Sequence, residues 1–367
     1  MTRIADWKNV LVVQTSFLGD TVLTLPLLAE IKRRYPAGKL TLLCAPVGSE
    51  LLGSHPGIDE VIVDDKRHED AGIMGLWRKA RFLEQKKFTL AISPHKSLRS
   101  ALLLFLAKIP YRVGFRQSKG AFLFHALANR NPLRHDVERN LSILEALGIP
   151  TQECRQSMDF RVSPDSKEKN RQLLDAAGID LKRILIGVNA GSVWATKRWS
   201  ADLFAALIGR LKQDLDCEIV LFGGPEDVAT VAKIQALCGA DVVNWCGKTA
   251  LQDLPTAVSA CDLFITNDSG PMHIAVACKV PVVAIFCATT PSLGFYPYSS
   301  KAVVVEKELS CRPCSSHGSR RCPLGTEDCI KLVRPEHVLQ AAKQLLELCD
   351  DSRVNSSEAH EPHYLTV

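Results

Sequence analysis

The chain has 367 residues, 46% hydrophobic and 23% charged, with 45 Lys and Arg against 40 Asp and Glu. At roughly 150 residues per domain there is room for about two globular domains, and the ordinary composition excludes a disordered, collagen-like or coiled-coil protein. The net charge of +5 is too mild to mark a nucleic-acid binder, but it is unevenly placed: within residues 76–135 thirteen Lys and Arg stand against Glu84 alone, which suits an anionic partner.

The elements follow in chain order. Residues 9–14 (NVLVVQ) form a short, β-branched apolar run and predict a buried strand. A loop over 15–20 leads to a helix over 21–34, with Pro26 tolerated near its first turn. Strands at 40–44 and 61–63, a helix at 76–85, a strand at 90–93, a helix at 97–108 and a strand at 111–114 come next. A helix over 136–147 stops at Gly148. A polar stretch over 150–182, with one helical piece at 166–177, bridges to a second alternating series. That series predicts a strand at 184–189, a helix at 200–211 capped by Ser200, a strand at 218–222, and helices at 225–237 and 251–260. It continues with a strand at 263–267, a helix at 271–278, a strand at 280–286 and a closing helix at 331–349.

Such βα alternation predicts two doubly wound, Rossmann-like α/β domains whose strand C-termini face a central cleft. Their expected bounds are 1–165 and 166–349, followed by a polar tail over 350–367 that should fray. The longest apolar run, residues 101–107, is far short of the ~20 residues that span a bilayer. No secretory signal precedes the first strand. A cytoplasmic protein with mostly reduced cysteines is the expectation. Nine of the 13 Cys are dispersed in apolar segments and read as small buried hydrophobes.

Four loops that follow strands carry chemistry. In Thr15-Ser-Phe-Leu-Gly-Asp20, Asp20 stands where a helix begins, either as a cap or as a general base. Asn189-Ala-Gly-Ser-Val-Trp-Ala-Thr-Lys-Arg-Trp199 carries Lys197 beside a Gly-Ser turn, a combination suited to phosphate. Phe222-Gly-Gly-Pro-Glu-Asp227 places Glu226 and Asp227 at a helix start, where a carboxylate can favour the dipole or hold ribose hydroxyls. Thr266-Asn-Asp-Ser-Gly-Pro-Met-His273 ends a strand, bends at Gly270 and opens a helix at Pro271, an anion site flanked by Asp268 and His273.

The N-D-S-G-P-M-H run with the following I-A-V-A-C-K-V-P-V-V-A-I-F, the S-F-L-G-D-T-V-L-T-L-P-L run from Ser16, and T-K-R-W-S from Thr196 together resemble bacterial lipopolysaccharide heptosyltransferases. These are glycosyltransferase family 9 enzymes with the two-Rossmann GT-B fold. The cysteine-bearing stretch from Cys311 is similar to one found notably in the type II enzymes. The resemblance implies an inverting transfer of heptose from ADP-heptose to the anionic Kdo/heptose inner core of lipopolysaccharide, on Kdo-lipid A or heptosyl-Kdo-lipid A. Asp20 is then the catalytic base. Ser192, Lys197, Asp268, Ser269, Gly270 and His273 are then donor contacts, with Glu226 or Asp227 on the ribose.

The basic stretch would meet the acceptor through Lys96, Arg99, Arg112, Arg116 and Lys119, with peripheral contact to the cytoplasmic face of the inner membrane. No nucleic acid and no catalytic metal are expected. The one Asp-x-Asp triplet, Asp214-Leu-Asp216, sits where a helix turns into a strand, and Lys197 with a helix N-terminus can neutralise a leaving diphosphate. Cys311, Cys314, Cys322 and Cys329 read equally as a closed structural metal site or as four reduced thiols. Another GT-B nucleotide-sugar enzyme, such as one with a different donor or an epimerase, and a non-catalytic sugar-nucleotide or redox protein built on the cysteines remain alternatives. No G-x-G-x-x-G follows a strand, which disfavours a nicotinamide-dependent dehydrogenase.

Overall fold

The computed structural model describes residues 7–350 and 360–367. The chain forms two compact units, Met1–Arg161 and Val162–Val367.

Among the described residues the first unit holds six strands: β1 (Asn9–Gln14), β2 (Lys39–Cys44), β3 (Glu60–Val63), β4 (Leu90–Ile92), β5 (Tyr111–Phe115) and β6 (Ala126–Ala128). All pairings are parallel, in the order β3-β2-β1-β4-β5-β6. Helices α1 (Leu18–Val22), α2 (Leu25–Arg34), α3 (Pro46–Leu52), α4 (Gly72–Gln85), α5 (Leu98–Leu106) and α6 (Asp136–Leu141) connect and cover the sheet. The strands are near-continuous apolar runs because both faces are buried: one face packs Leu11, Val13, Leu43 and Ala91 against Leu83 and Leu104. The strand order reverses between β1 and β4, so the loops after these two strands frame the crevice where ligands of such sheets bind.

The second unit repeats the plan. Helix α7 (Pro164–Ala176) leads into β7 (Ile184–Asn189), α8 (Ala201–Asp214), β8 (Cys217–Phe222), α9 (Val228–Cys238), β9 (Val243–Asn244), α10 (Leu254–Val258), β10 (Leu263–Asn267) and α11 (Gly270–Ala277). Then follow β11 (Val282–Phe286), β12 (Ala302–Glu306), α12 (Asp328–Lys331), α13 (Pro335–Asp350) and β13 (His363–Thr366). The sheet order is β13-β12-β11-β10-β7-β8-β9, again parallel throughout, with its reversal between β7 and β10.

Three expectations need correction. The single helix expected over 21–34 is two helices, because Pro26 lacks an N–H and falls in the first turn of α2, so the chain caps at Leu23 and restarts after Thr24. The tail does not simply fray: residues 363–366 add an edge strand to β12, drawn in by backbone pairing and by Leu365 and Val367 against the core. Strands β6 and β12 and helix α3 lie in stretches assigned to no element from sequence. Among the described residues no helix is long and apolar enough to cross a membrane.

Candidate functional site

In the second unit the loops after β7 and β10, which flank the strand reversal, are sewn together by two asparagines. Asn267 accepts the Trp199 N–H at 2.9 Å through Oδ1 and donates from Nδ2 to the Ala190 carbonyl at 2.8 Å. Asn189 donates to Gly191 O and Thr266 Oγ1 at 3.3 and 3.2 Å. Trp199 is buried, donates its indole N–H to Val333 O at 2.8 Å and packs edge-on against Phe204, so its apolar bulk anchors the loop to the core.

This frame presents Lys197 to Asp268. Their Nζ and Oδ2 atoms are 2.7 Å apart, and the two side chains are 14% and 7% exposed. Thr289 donates its hydroxyl to the same carboxylate oxygen at 2.6 Å. Ser269 caps α11 in extended conformation and Gly270 opens the helix, so the positive end of α11 lies beside the pair. His273 is buried on the first turn of α11, and its Nδ1 finds no hydrogen-bond partner among the described residues. Burial pushes its pKa down to about 4, so at neutral pH the ring is an uncharged donor and acceptor rather than a cation.

The other expected donor residues separate. Asp227 is buried and accepts the Gly224 N–H at 3.1 Å, and desolvation raises its pKa. It packs so closely on Gly191 that a Cβ there would lie 2.1 Å from Oδ2. Glu226 beside it is exposed. Ser192 gives its carbonyl to Arg198 Nε at 2.6 Å, fixing the turn before Lys197.

In the first unit Asp20 follows β1, as the third residue of α1 rather than its cap. Its Oδ2 accepts the Phe17 N–H at 3.2 Å, while its carbonyl accepts the Thr24 hydroxyl at 2.8 Å, which in turn accepts from Gln14 Nε2 at 3.0 Å. Asn140 on α6 donates to Leu23 O at 3.2 Å, and Lys66 Nζ to Thr15 O at 2.6 Å. The turn is thus braced from both ends. Neither Lys66 nor Asn140 stood out in the sequence, although the buried Asp136 that accepts from Asn140 lies four residues before it on the same helix face.

The basic residues divide by sheet edge. Lys96, Arg116 and Lys119 are exposed beyond the C-terminal ends of β4 and β5, and the Lys119 N–H donates to Lys96 O at 3.2 Å. Arg99 is instead engaged with the buried carboxylate of Asp64 at 2.5 Å and with Asp70 O at 2.8 Å. Arg112 stands near the start of β5 and binds Leu123 O and Ile109 O at 2.9 and 2.5 Å. Both guanidinium groups are spent within the fold, and Arg112 lies toward the opposite edge from Asp20.

None of the 13 cysteines is joined in a disulfide. Among the described residues no group of three or more His, Cys, Asp and Glu side chains is arranged to hold a metal ion, so the closed site entertained for Cys311, Cys314, Cys322 and Cys329 finds no support. Their segment is held by other means. Arg312, 2% exposed, binds Phe286 O, Thr289 O and Glu306 at 3.0, 2.5 and 2.9 Å. Thr196 and Ser319 exchange backbone and hydroxyl hydrogen bonds of 2.8 to 3.1 Å. Asp214 and Asp216 pair with Lys343 and Arg183 at 2.7 and 2.5 Å, a surface turn rather than a metal clamp.

Comparison with known proteins joins these observations. Lipooligosaccharide heptosyltransferase 2 of Campylobacter jejuni is 29% identical over 342 residues, covering 90% of this chain and 96% of that protein. A glycosyl transferase family 9 structure from Veillonella parvula superposes with a TM-score of 0.82 at 27% identity, covering 94% of this chain and 98% of that one. The E. coli heptosyltransferase WaaC with ADP-2-deoxy-2-fluoro heptose shares the fold, with a TM-score of 0.67 at 18% identity over 93% of this chain and 99% of that one. The family model for glycosyltransferase family 9 (heptosyltransferase) matches residues 76–324. With two parallel Rossmann-like sheets in the GT-B manner, the chain belongs to glycosyltransferase family 9, the heptosyltransferases of lipopolysaccharide core biosynthesis.

Proposed function

We propose that the chain transfers a heptose from ADP-heptose to the Kdo/heptose inner core of lipopolysaccharide, with inversion at the anomeric carbon. The observation that carries this reading is the Lys197–Asp268 pair beside the N-terminus of α11 and the neutral His273. A cation, a helix dipole and a buried imidazole gathered where strand order reverses suit a nucleoside diphosphate. The ADP-sugar analogue carried by WaaC supports ADP-heptose as donor.

Asp20 takes the proton from an acceptor hydroxyl, whose oxygen attacks the anomeric carbon while the bond to the diphosphate oxygen breaks. ADP leaves with that electron pair, and a single displacement inverts the centre without a covalent intermediate. Lys197 and the α11 N-terminus stabilise the charge on the leaving diphosphate without a metal ion. Ser192, Ser269 and Gly270 line its path, and His273 donates or accepts as a neutral ring. Glu226, being exposed, is the better ribose ligand than the buried Asp227. Lys96, Arg116 and Lys119 face the Kdo carboxylates or phosphates of the acceptor, which favours a cytoplasmic enzyme at the inner membrane surface.

The test is incubation with ADP-heptose and either Kdo-lipid A or heptosyl-Kdo-lipid A, following ADP release. Turnover with one acceptor is expected. Correctly folded protein that releases no ADP with either acceptor overturns the assignment.

A further inference from the structure

An amphipathic surface helix normally turns its polar face to water. Helix α4 does not. Its inner face buries Gly75, Leu76, Ala80 and Leu83 in the core of the first unit. Its outer face presents Ile73, Met74 and Trp77, exposed by 84, 78 and 55%. At 100° per residue, these three share an arc with Arg78 and Arg81. Leaving three large apolar side chains together in water is unfavourable for a monomer, and such patches mark interaction sites.

The surrounding charge is predominantly positive, with Arg78 lying 3.7 Å from the Asp70 carboxylate, Lys79 2.9 Å from it and Arg81 3.9 Å from Glu84. From residue 71 to residue 87 the chain carries five Lys and Arg against Glu84 alone. Arg81 lies 5.5 Å from the Trp77 ring, and Lys79 and Lys86 lie 5.8 and 5.2 Å from that of the exposed Phe82. Apolar and aromatic side chains interleaved with cations are what a helix needs to lie in a lipid interface, its rings at the headgroup level and its cations among phosphates. A second copy of the same face would bring like charges together, which disfavours self-association.

We infer that this face of α4 docks on an anionic lipid bilayer, with Ile73, Met74 and Trp77 entering the interface and Arg78 and Arg81 meeting the headgroups. The inference rests on the reading of a lipid-anchored acceptor and adds where the membrane is met. Since β3 runs into α4, the N-terminal turn of α4 lies toward the C-terminal edge of the sheet, the edge that carries Asp20, Lys96 and Lys119.

The test sediments the full chain with vesicles of phosphatidylcholine, with and without phosphatidylglycerol. Binding is expected with the anionic vesicles and should weaken with salt. The triple variant I73S/M74S/W77S should bind about tenfold or more weakly, and R78Q/R81Q should lose a similar factor together with most of the salt dependence. All these side chains are exposed, so the variants should melt like the parent chain and release ADP normally from a deacylated, water-soluble acceptor. Absence of binding by the parent chain, equal binding by both variants, or a change of oligomeric state instead of vesicle affinity overturns the proposal. Vesicle binding that behaves as expected without ADP release from any acceptor would instead overturn the transfer reading and leave the docking surface standing.

Discussion

Lys197 and Asp268 form an ion pair of 2.7 Å that joins the loops after β7 and β10, the two strands at which the order of the second sheet reverses. The lysine is therefore held by a carboxylate that an anionic leaving group must compete with, rather than waiting in solvent. Lys197→Met should lower kcat with the ADP-sugar donor by about 10²–10³-fold, the effect of removing one charge-stabilising group. It should also cost about 1–3 kcal/mol of stability, since the buried Asp268 carboxylate loses its cation and keeps the Thr289 hydroxyl at that oxygen. Turnover by ADP release and urea denaturation measure the two effects. Unchanged turnover would remove Lys197 from the diphosphate.

The 3₁₀ turn that carries Lys197 is fastened to the cysteine-bearing segment. Thr196 N–H donates to Ser319 O at 3.1 Å, and the Ser319 N–H donates back to the Thr196 hydroxyl at 2.8 Å. A Cβ on Gly318 would come within 2.8 Å of the Lys197 stem. Thr196 is thus a positioning residue. Thr196→Val loses the hydroxyl and should cut kcat about tenfold with a smaller change in the donor KM, while Thr196→Ser restores most of it. Equal kinetics for the two variants would show that the bridge only supports folding. By the same logic the strap depends on hydrogen bonds rather than on thiolate ligands, so Cys311→Ser or treatment with a chelator should leave ADP release unchanged.

The alternation of strands and helices was legible because strands buried on both faces are short apolar runs, as in NVLVVQ and LFITN. The loops also stood out, since glycine, proline and charged residues cluster at strand ends. What sequence could not show was which charges are already spent. Arg112 and Arg116 look alike in a basic stretch, yet four residues of strand carry them about 13 Å apart, one pinned to Leu123 O and the other exposed at the edge. Glu226 and Asp227 were indistinguishable until burial separated them. Thr289 and Ser319 lie far in sequence from Asp268 and Thr196 and carry no local signature, so only the fold brings them to the loops of Asp268 and Lys197.

Asp20→Asn separates chemistry from binding. The amide oxygen can still accept the Phe17 N–H that Asp20 Oδ2 accepts at 3.2 Å, so the turn should persist. A general base contributes typically about 10²–10⁴-fold, and kcat should fall by that factor. ADP affinity by calorimetry should not change, because the proposed donor contacts all lie in the second unit. Retained turnover would exclude Asp20 as the base.

Lys96 and Lys119 are exposed on loops joined by a backbone hydrogen bond of 3.2 Å. The double variant K96Q/K119Q should raise the acceptor KM several-fold at low salt. The acceptor KM of the parent chain should rise with ionic strength and converge on that of the variant. Steady-state kinetics over a salt series checks this, and parallel curves would free the acceptor from these lysines.

Stability should depend on pH through His273. Burial lowers its pKa from the ordinary 6.5 to about 4, so the folded state takes up its proton later than the unfolded state does. The contribution is fully present above pH 6.5 and is lost as the pH falls toward 4, amounting to about 2 kcal/mol at pH 5. His95, also pushed down to about 4 by burial, adds a loss of the same sign in the first unit. The difference between the parent chain and His273→Gln isolates the His273 share. Urea midpoints at pH 8 and pH 5 should drop more for the parent chain than for the variant, since glutamine has nothing to protonate. Equal drops would mean that the imidazole titrates alike in the folded and unfolded states, so that burial does not hold it neutral down to pH 5.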